Sequence, residues 1–148
     1  MKPRILLPFD FGEPSMHALL WAVDLQRTID APPIQLVHAI DARPGVSSEG
    51  PPVITAPSER ELHDLEARLR EAVRRTEGSA SVEIRVETLA VGDILLDVAR
   101  EKNADLIVMG THGQRGLERV LLGSVAMHVL RRAECPVVTI AHPHGGRP

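Results

Sequence analysis

Three glycines recur at every third position, Gly110, Gly113 and Gly116, directly after the apolar run Leu106-Ile107-Val108-Met109. A short run of this kind, bounded by Asp105 and Gly110, reads as a buried parallel strand. Glycines that follow it serve where backbone approaches something closely or takes φ > 0. Gly123-Ser124 comes next and opens a helix whose apolar positions are Val125, Val129 and Leu130. A helix N-terminus offers unpaired N–H groups with the helix dipole behind them, which suits an anion such as phosphate. The plain alternative is that the glycines only make turns.

Other side chains could add chemistry. Asp10 ends the first apolar run and could bond ribose hydroxyls, or simply cap a turn. Arg115 and Arg119 could pair phosphate oxygens or stand solvated in the loop. His112, between Thr111 and Gly113, is either structural or an acid–base group. His142 and His144 lack the further ligands a metal site needs, and Cys135 reads as a small packed apolar group. Met16, Trp21 and Met127 read as helical core positions. No activated nucleophile, general base or metal cluster is visible, so binding without turnover is favoured.

The elements that must position these residues follow from the pattern. Ile5 to Phe9 reads as the first strand, with regular pairing ending near Pro8. Gly12-Glu13-Pro14-Ser15 starts a helix whose buried face is expected at Ala18, Trp21, Ala22, Leu25 and Ile29. Ile34 to Ile40 is the second strand. Residues 42–57 hold four prolines and no periodicity, a long connection.

Ser58 and Glu61 form a capping box ahead of a helix with Leu62, Leu65, Leu69, Ala72 and Val73 inward, closed by Gly78-Ser79. Val82, Ile84 and Val86 alternate with Glu83, Arg85 and Glu87, as at a sheet edge. Gly92-Asp93 starts a third helix, with Asp93 as the expected cap and Ile94, Leu95, Val98 and Ala99 inward. The central strand, the glycine loop, a helix over Ser124–Arg132 and a last strand over Val137–Ala141 complete the chain, with a frayed tail at residues 142–148.

This βαβαβαβαβ order predicts an open parallel sheet with helices on both faces. Ligands of such sheets sit beyond the carboxyl ends of the strands, at the reversal of strand order.

The spacing Gly110-x2-Gly113-x9-Gly123-Ser124 resembles the ATP-binding signature of the universal stress protein family. The flanks Ile107 to Gly113, Leu121 to Ala126 and Cys135-Pro136-Val137-Val138 carry the resemblance further. It implies a Rossmann-like fold of the adenine nucleotide alpha hydrolase type, strand order 3-2-1-4-5, over a single domain spanning residues 1–148. It implies a nucleotide site of Pro8, Phe9, Asp10, Ala39, Met109, Gly110, Thr111, His112, Gly113, Arg115, Gly116, Gly123, Ser124, Val125 and Ala126.

The ligand so implied is ATP, or AMP or ADP, with Mg²⁺ held by the phosphates. The protein would be a cytoplasmic regulatory or sensing homodimer in stress response, joined through its C-terminal strand. A slow ATP hydrolase and an interaction protein with a structural nucleotide are the alternatives. Gly12 departs from the family's frequent serine, and Ala39 from its branched residue, which would loosen the adenine packing.

Composition narrows the classes. The chain has 148 residues, 43% hydrophobic and 25% charged, as in a globular domain. A formal net charge of −3 gives no basic footprint for nucleic acid. No apolar run approaches the roughly 20 residues of a membrane helix. The only lysines, Lys2 and Lys102, lie away from the glycine loop, so a Walker-type phosphate loop is absent. The same scarcity excludes a response regulator, which needs a lysine after its last strand. The turn after the first strand, Asp10-Phe11-Gly12-Glu13-Pro14, lacks the hydroxyls of a flavodoxin loop.

Overall fold

Nine elements alternate along the chain in the computed structural model, which describes residues 1–45, 50–51, 55–112 and 122–141. They are β1 (Ile5–Pro8), α1 (Glu13–Ile29), β2 (Ile34–Asp41), α2 (Glu59–Arg74), β3 (Ala80–Glu87), α3 (Val91–Glu101), β4 (Leu106–Gly110), α4 (Ser124–Arg132) and β5 (Val137–Ile140). All pairings are parallel and the order is β3-β2-β1-β4-β5. β1 therefore lies between β2 and β4, and the carboxyl ends of β1 and β4 are neighbours.

Strand periodicity divides the core between the two faces. Ile5, Leu7, Leu36 and Val108 join Leu19 of α1 and Leu69 of α2 on one side. Leu6, Val37, Ile107 and Met109 join Ile94 of α3 and Val129 of α4 on the other. Successive side chains of a strand point to opposite faces, so one short run feeds both layers.

Several local expectations need correction. The buried face of α1 is Ser15, Ala18, Leu19, Ala22, Val23 and Gln26, while Trp21 is 39% and Ile29 37% exposed. Gln26 takes an interior position because its amide donates to the carbonyls of Pro32 and Ser79, both at 2.9 Å, and its Oε1 accepts from the Ser79 N–H. Met127 and Leu130 of α4 are also exposed, at 37% and 42%; Ala126 and Val129 are the buried positions there.

Asp93 does not cap α3: the cap is Ala90, without a side-chain bond, and Asp93 instead meets His128 of α4. α2 ends at Arg74, before Gly78-Ser79, and its capping box of Ser58 and Glu61 is formed as expected. β3 lies at the sheet edge.

Two glycines set helix positions. A Cβ on Gly110 would come within 2.7 Å of Pro14 Cβ and 3.0 Å of Ser15 N, so the end of β4 packs under the first turn of α1. A Cβ on Gly92 would fall 2.5 Å from the His128 ring, so α3 and α4 meet closely there.

Candidate functional site

A cavity of about 600 Å³ opens at the carboxyl ends of the strands. It is lined from β1 and its turn by Pro8, Phe9 and Asp10, from β4 and its exit by Met109, Gly110, Thr111 and His112, and from β2 by Ala39. The start of α4 supplies Gly123, Ser124, Val125 and Ala126. These twelve are the residues from the expected nucleotide site that fall within the described chain. Gly113, Arg115 and Gly116, together with Arg119, lie outside the described residues, as do His142 and His144.

Asp10 is held by its own turn. Its Oδ1 accepts from the Gly12 amide at 2.8 Å and the Ser15 hydroxyl at 2.5 Å, while its N–H donates to Ser15 Oγ at 3.2 Å. Both readings of this residue thus coexist: it closes a turn, and it forms part of the cavity wall.

The α4 end of the cavity is built from backbone. The Gly123 N–H donates to the Thr111 carbonyl at 2.6 Å, and the Gly123 carbonyl accepts from Met127 to begin the helical ladder. The amides of Ser124, Val125 and Ala126 precede that first helical bond, and no side chain caps them. Such amides, with the dipole of α4 behind them, favour an anion. Ser124 is exposed, so its hydroxyl is accessible beside them.

The structure adds Ser15, Val37, His38, Val91 and Leu95 to the lining. Val37, Ala39, Val91, Leu95, Met109, Val125 and Ala126 make much of the wall apolar. His38 Nδ1 lies 2.8 Å from the Phe9 carbonyl. A carbonyl only accepts, so Nδ1 carries the hydrogen. Its one sequence signal is a polar residue inside the apolar run Leu36-Val37-His38-Ala39-Ile40. Val91 and Leu95 had an available signal too, being four apart on α3 and therefore on one face.

Thr111 is buried, with its hydroxyl 2.9 Å from His112 Nδ1. The β4 exit is thereby braced by hydrogen bonds, and a side chain at His112 stands on the cavity rim. Among the described residues no group of three His, Cys, Asp or Glu side chains converges as a metal site would require. No described helix is long and apolar enough to cross a membrane.

An apolar cleft with a few placed polar groups at a strand-order reversal is the usual form of a small-ligand site. Comparisons with known proteins agree on the kinship. The model of the Universal stress protein family matches residues 1–141. Universal stress protein MJ0531 of Methanocaldococcus jannaschii is 34% identical over 147 residues, covering 95% of this chain and 82% of its own.

Among solved structures, universal stress protein UspA from Lactobacillus plantarum superposes with a TM-score of 0.74 at 22% identity, covering 95% of this chain and 99% of its own. A universal stress protein from Archaeoglobus fulgidus in complex with dAMP gives 0.67 at 22% identity, covering 95% and 98%. A universal stress protein structure in complex with cAMP gives 0.66 at 21% identity, also covering 95% and 98%.

Proposed function

The chain belongs to the universal stress protein family, and from that premise we propose that its cavity binds an adenine nucleotide, ATP first, as the sensing element of a stress-response regulator. One observation carries this reading: Asp10 and the uncapped start of α4 line one cavity, much of whose remaining wall is apolar. A purine fits the apolar part among Val37, Ala39, Val91, Leu95 and Met109. The ribose then falls to the Asp10 carboxylate and the phosphates to the amides of Ser124, Val125 and Ala126, completed by the glycine loop with Arg115. That structures of the same fold hold dAMP and cAMP supports the adenine class.

Residues here bind and orient; they do not supply an evident reaction. Phosphoryl transfer needs a positioned water and charge neutralisation at the phosphates. Mg²⁺ carried by the phosphates themselves would supply the latter. The proposal is therefore of a binding protein working in the cytoplasm, with hydrolysis well below ~1 s⁻¹, the low end of ordinary enzyme rates. Faster turnover, abolished by substitution at Asp10 or Gly123, would establish the hydrolase alternative instead.

Gly123→Val tests the phosphate position. Gly123 has φ −69° and ψ 162°, a conformation open to any residue, so the variant adds bulk without backbone strain. Calorimetry with ATP, AMP and cAMP should show wild-type binding and at least a tenfold loss in the variant, with circular dichroism unchanged. Equal affinity in both proteins would refute the phosphate placement, and no binding of any of the three would refute the nucleotide reading.

A further inference from the structure

Phe11 adopts φ 65°, a left-handed conformation that disfavours any residue with a Cβ. A glycine stands next to it, yet Gly12 takes an ordinary φ of −77° and the strain falls on the phenylalanine. Strained residues persist where their surroundings over-determine them, and here the surroundings are specific. The Phe11 ring meets Phe9 edge-to-face at 5.3 Å and His38 at 5.0 Å. The guanidinium of Arg68, on α2, lies 4.1 Å from the ring centroid. His38 is itself fixed by its bond to the Phe9 carbonyl. The left-handed turn brings the Gly12 N–H back onto Asp10 Oδ1.

We propose that Phe11 is a positioning residue for the nucleotide: clamped between Arg68 and the rings of Phe9 and His38, it fixes the turn that presents Asp10 to the cavity. The inference rests on the adenine-nucleotide reading for its consequence in binding, although the positioning itself is a property of the free protein. It assigns α2 a part in the site that none of its residues plays by contact. If the turn required only a left-handed residue, glycine would serve better than phenylalanine. The ring is what glycine cannot replace.

The test pairs Phe11→Gly with Phe11→Tyr and Arg68→Met. Phe11→Gly relieves the backbone but removes the ring contacts that outweigh its strain, so the variant should fold with a lowered thermal midpoint. Its Gly12 amide should exchange with deuterium about tenfold faster in the free protein, because its bond to Asp10 is no longer held. The Kd for ATP should rise about tenfold, the scale of one hydrogen bond to a charged group. Phe11→Tyr should restore both, and Arg68→Met should give a smaller change in the same direction. In an Asp10→Ala background, Phe11→Gly should cost no further affinity.

Wild-type exchange at Gly12 together with wild-type affinity in Phe11→Gly would overturn the proposal. So would a loss of affinity that persists undiminished without Asp10. Should the wild-type protein bind no adenine nucleotide, the functional reading fails by itself, and the Gly12 exchange rates still decide the positioning. Should Phe11→Gly not fold, Arg68→Met decides by the same two readouts.

Discussion

The Gly123 N–H donates to the Thr111 carbonyl at 2.6 Å, while the Thr111 N–H donates to the Ile140 carbonyl at 3.1 Å. One residue thus ties the end of β4 both to the cap of α4 and to the neighbouring strand β5. The chain between Thr111 and Gly123 leaves and returns at a single hydrogen-bonded point. Its length is consequently free of the duty of spanning a gap.

Replacing residues 113–121 by a four-residue Gly-Ser linker should therefore leave the fold intact. Halving the length of a connection changes its closure cost by only about 0.6 kcal/mol. The thermal midpoint should stay within a few degrees, adenosine should bind as before, and ATP should lose at least tenfold. Undiminished ATP affinity would show that the glycine loop does not hold phosphate.

Assembly is expected at the opposite edge from β3. Among the described residues β5 pairs with β4 alone, and the carbonyls of Pro136 and Ile140 accept from Ile107 of β4 and from Thr111 just beyond it. In a parallel ladder alternate residues face one neighbour, so the Thr139 N–H points to the open edge. Thr139→Pro removes that donor without touching the β4 ladder. An apolar edge strand without a lysine or an internal proline invites pairing, and a two-fold dimer is the commonest closed assembly. Light scattering should give twice 16.2 kDa for the wild type and a single chain's mass for the variant. A wild type at one chain's mass, or a folded variant that still dimerises, would sink the dimer.

The guarded edge should respond to acid. Arg85 on β3 pairs with Glu83, Glu87 and Glu101, and Lys102 with Glu83. Burial alone would raise the Glu83 carboxyl, but bonds from Arg85 and Lys102 outweigh it and hold the group below its ordinary value. The bond from Arg85 does the same for Glu101. Carboxyls lowered in the folded state stabilise it fully above their unfolded value of 4.5, and that stabilisation fades as pH falls through the lowered values. Arg85→Gln should cost about 1 kcal/mol at pH 7 in urea titrations. It should also lose less stability than wild type between about pH 5 and pH 3, where carboxylates titrate. An equal or steeper loss in the variant would contradict the assignment.

Cys135 should react slowly. Burial pushes its thiol up, and the charge of Asp105, then that of Glu134, further opposes the thiolate. Only the thiolate attacks a disulfide reagent. At pH 8 a chromogenic disulfide should label the folded protein about tenfold more slowly than a free thiol, with the difference abolished by guanidinium. A folded protein that labels as fast as the free thiol would refute this.

Strands β1, β2 and β4 are legible as short apolar runs ended by Pro, Asp or Gly and β3 by its alternation, and α4 takes its observed bounds from Gly123 before it and Arg131-Arg132 in its last turn. The order of strands was carried by the family resemblance, since an alternating βα pattern does not state which strands are neighbours. The face of α1 was misread because periodicity counts polarity and not partnership. Gln26 and Ser15 are buried once their hydrogen bonds exist, and Trp21 yields the interior to them. Phe11 was illegible for a related reason: Gly12 beside it is the obvious residue for an unusual turn, and only the stack with Arg68 shows which of the two takes it.

Gly92 does not itself line the cavity, yet it sets how closely the two helices behind that wall approach. Its neighbour Val91 and, one turn on, Leu95 face the cavity from α3, and Val125 and Ala126 face it from α4. Those two helices are locked at His128, whose Nδ1 lies 3.0 Å from an Arg132 donor and whose Nε2 therefore donates to Asp93 at 2.7 Å. Any side chain at position 92 would press on that ring and drive the helices apart. The width of this cavity is accordingly set from behind, by a residue that acts as a spacer and does not line it.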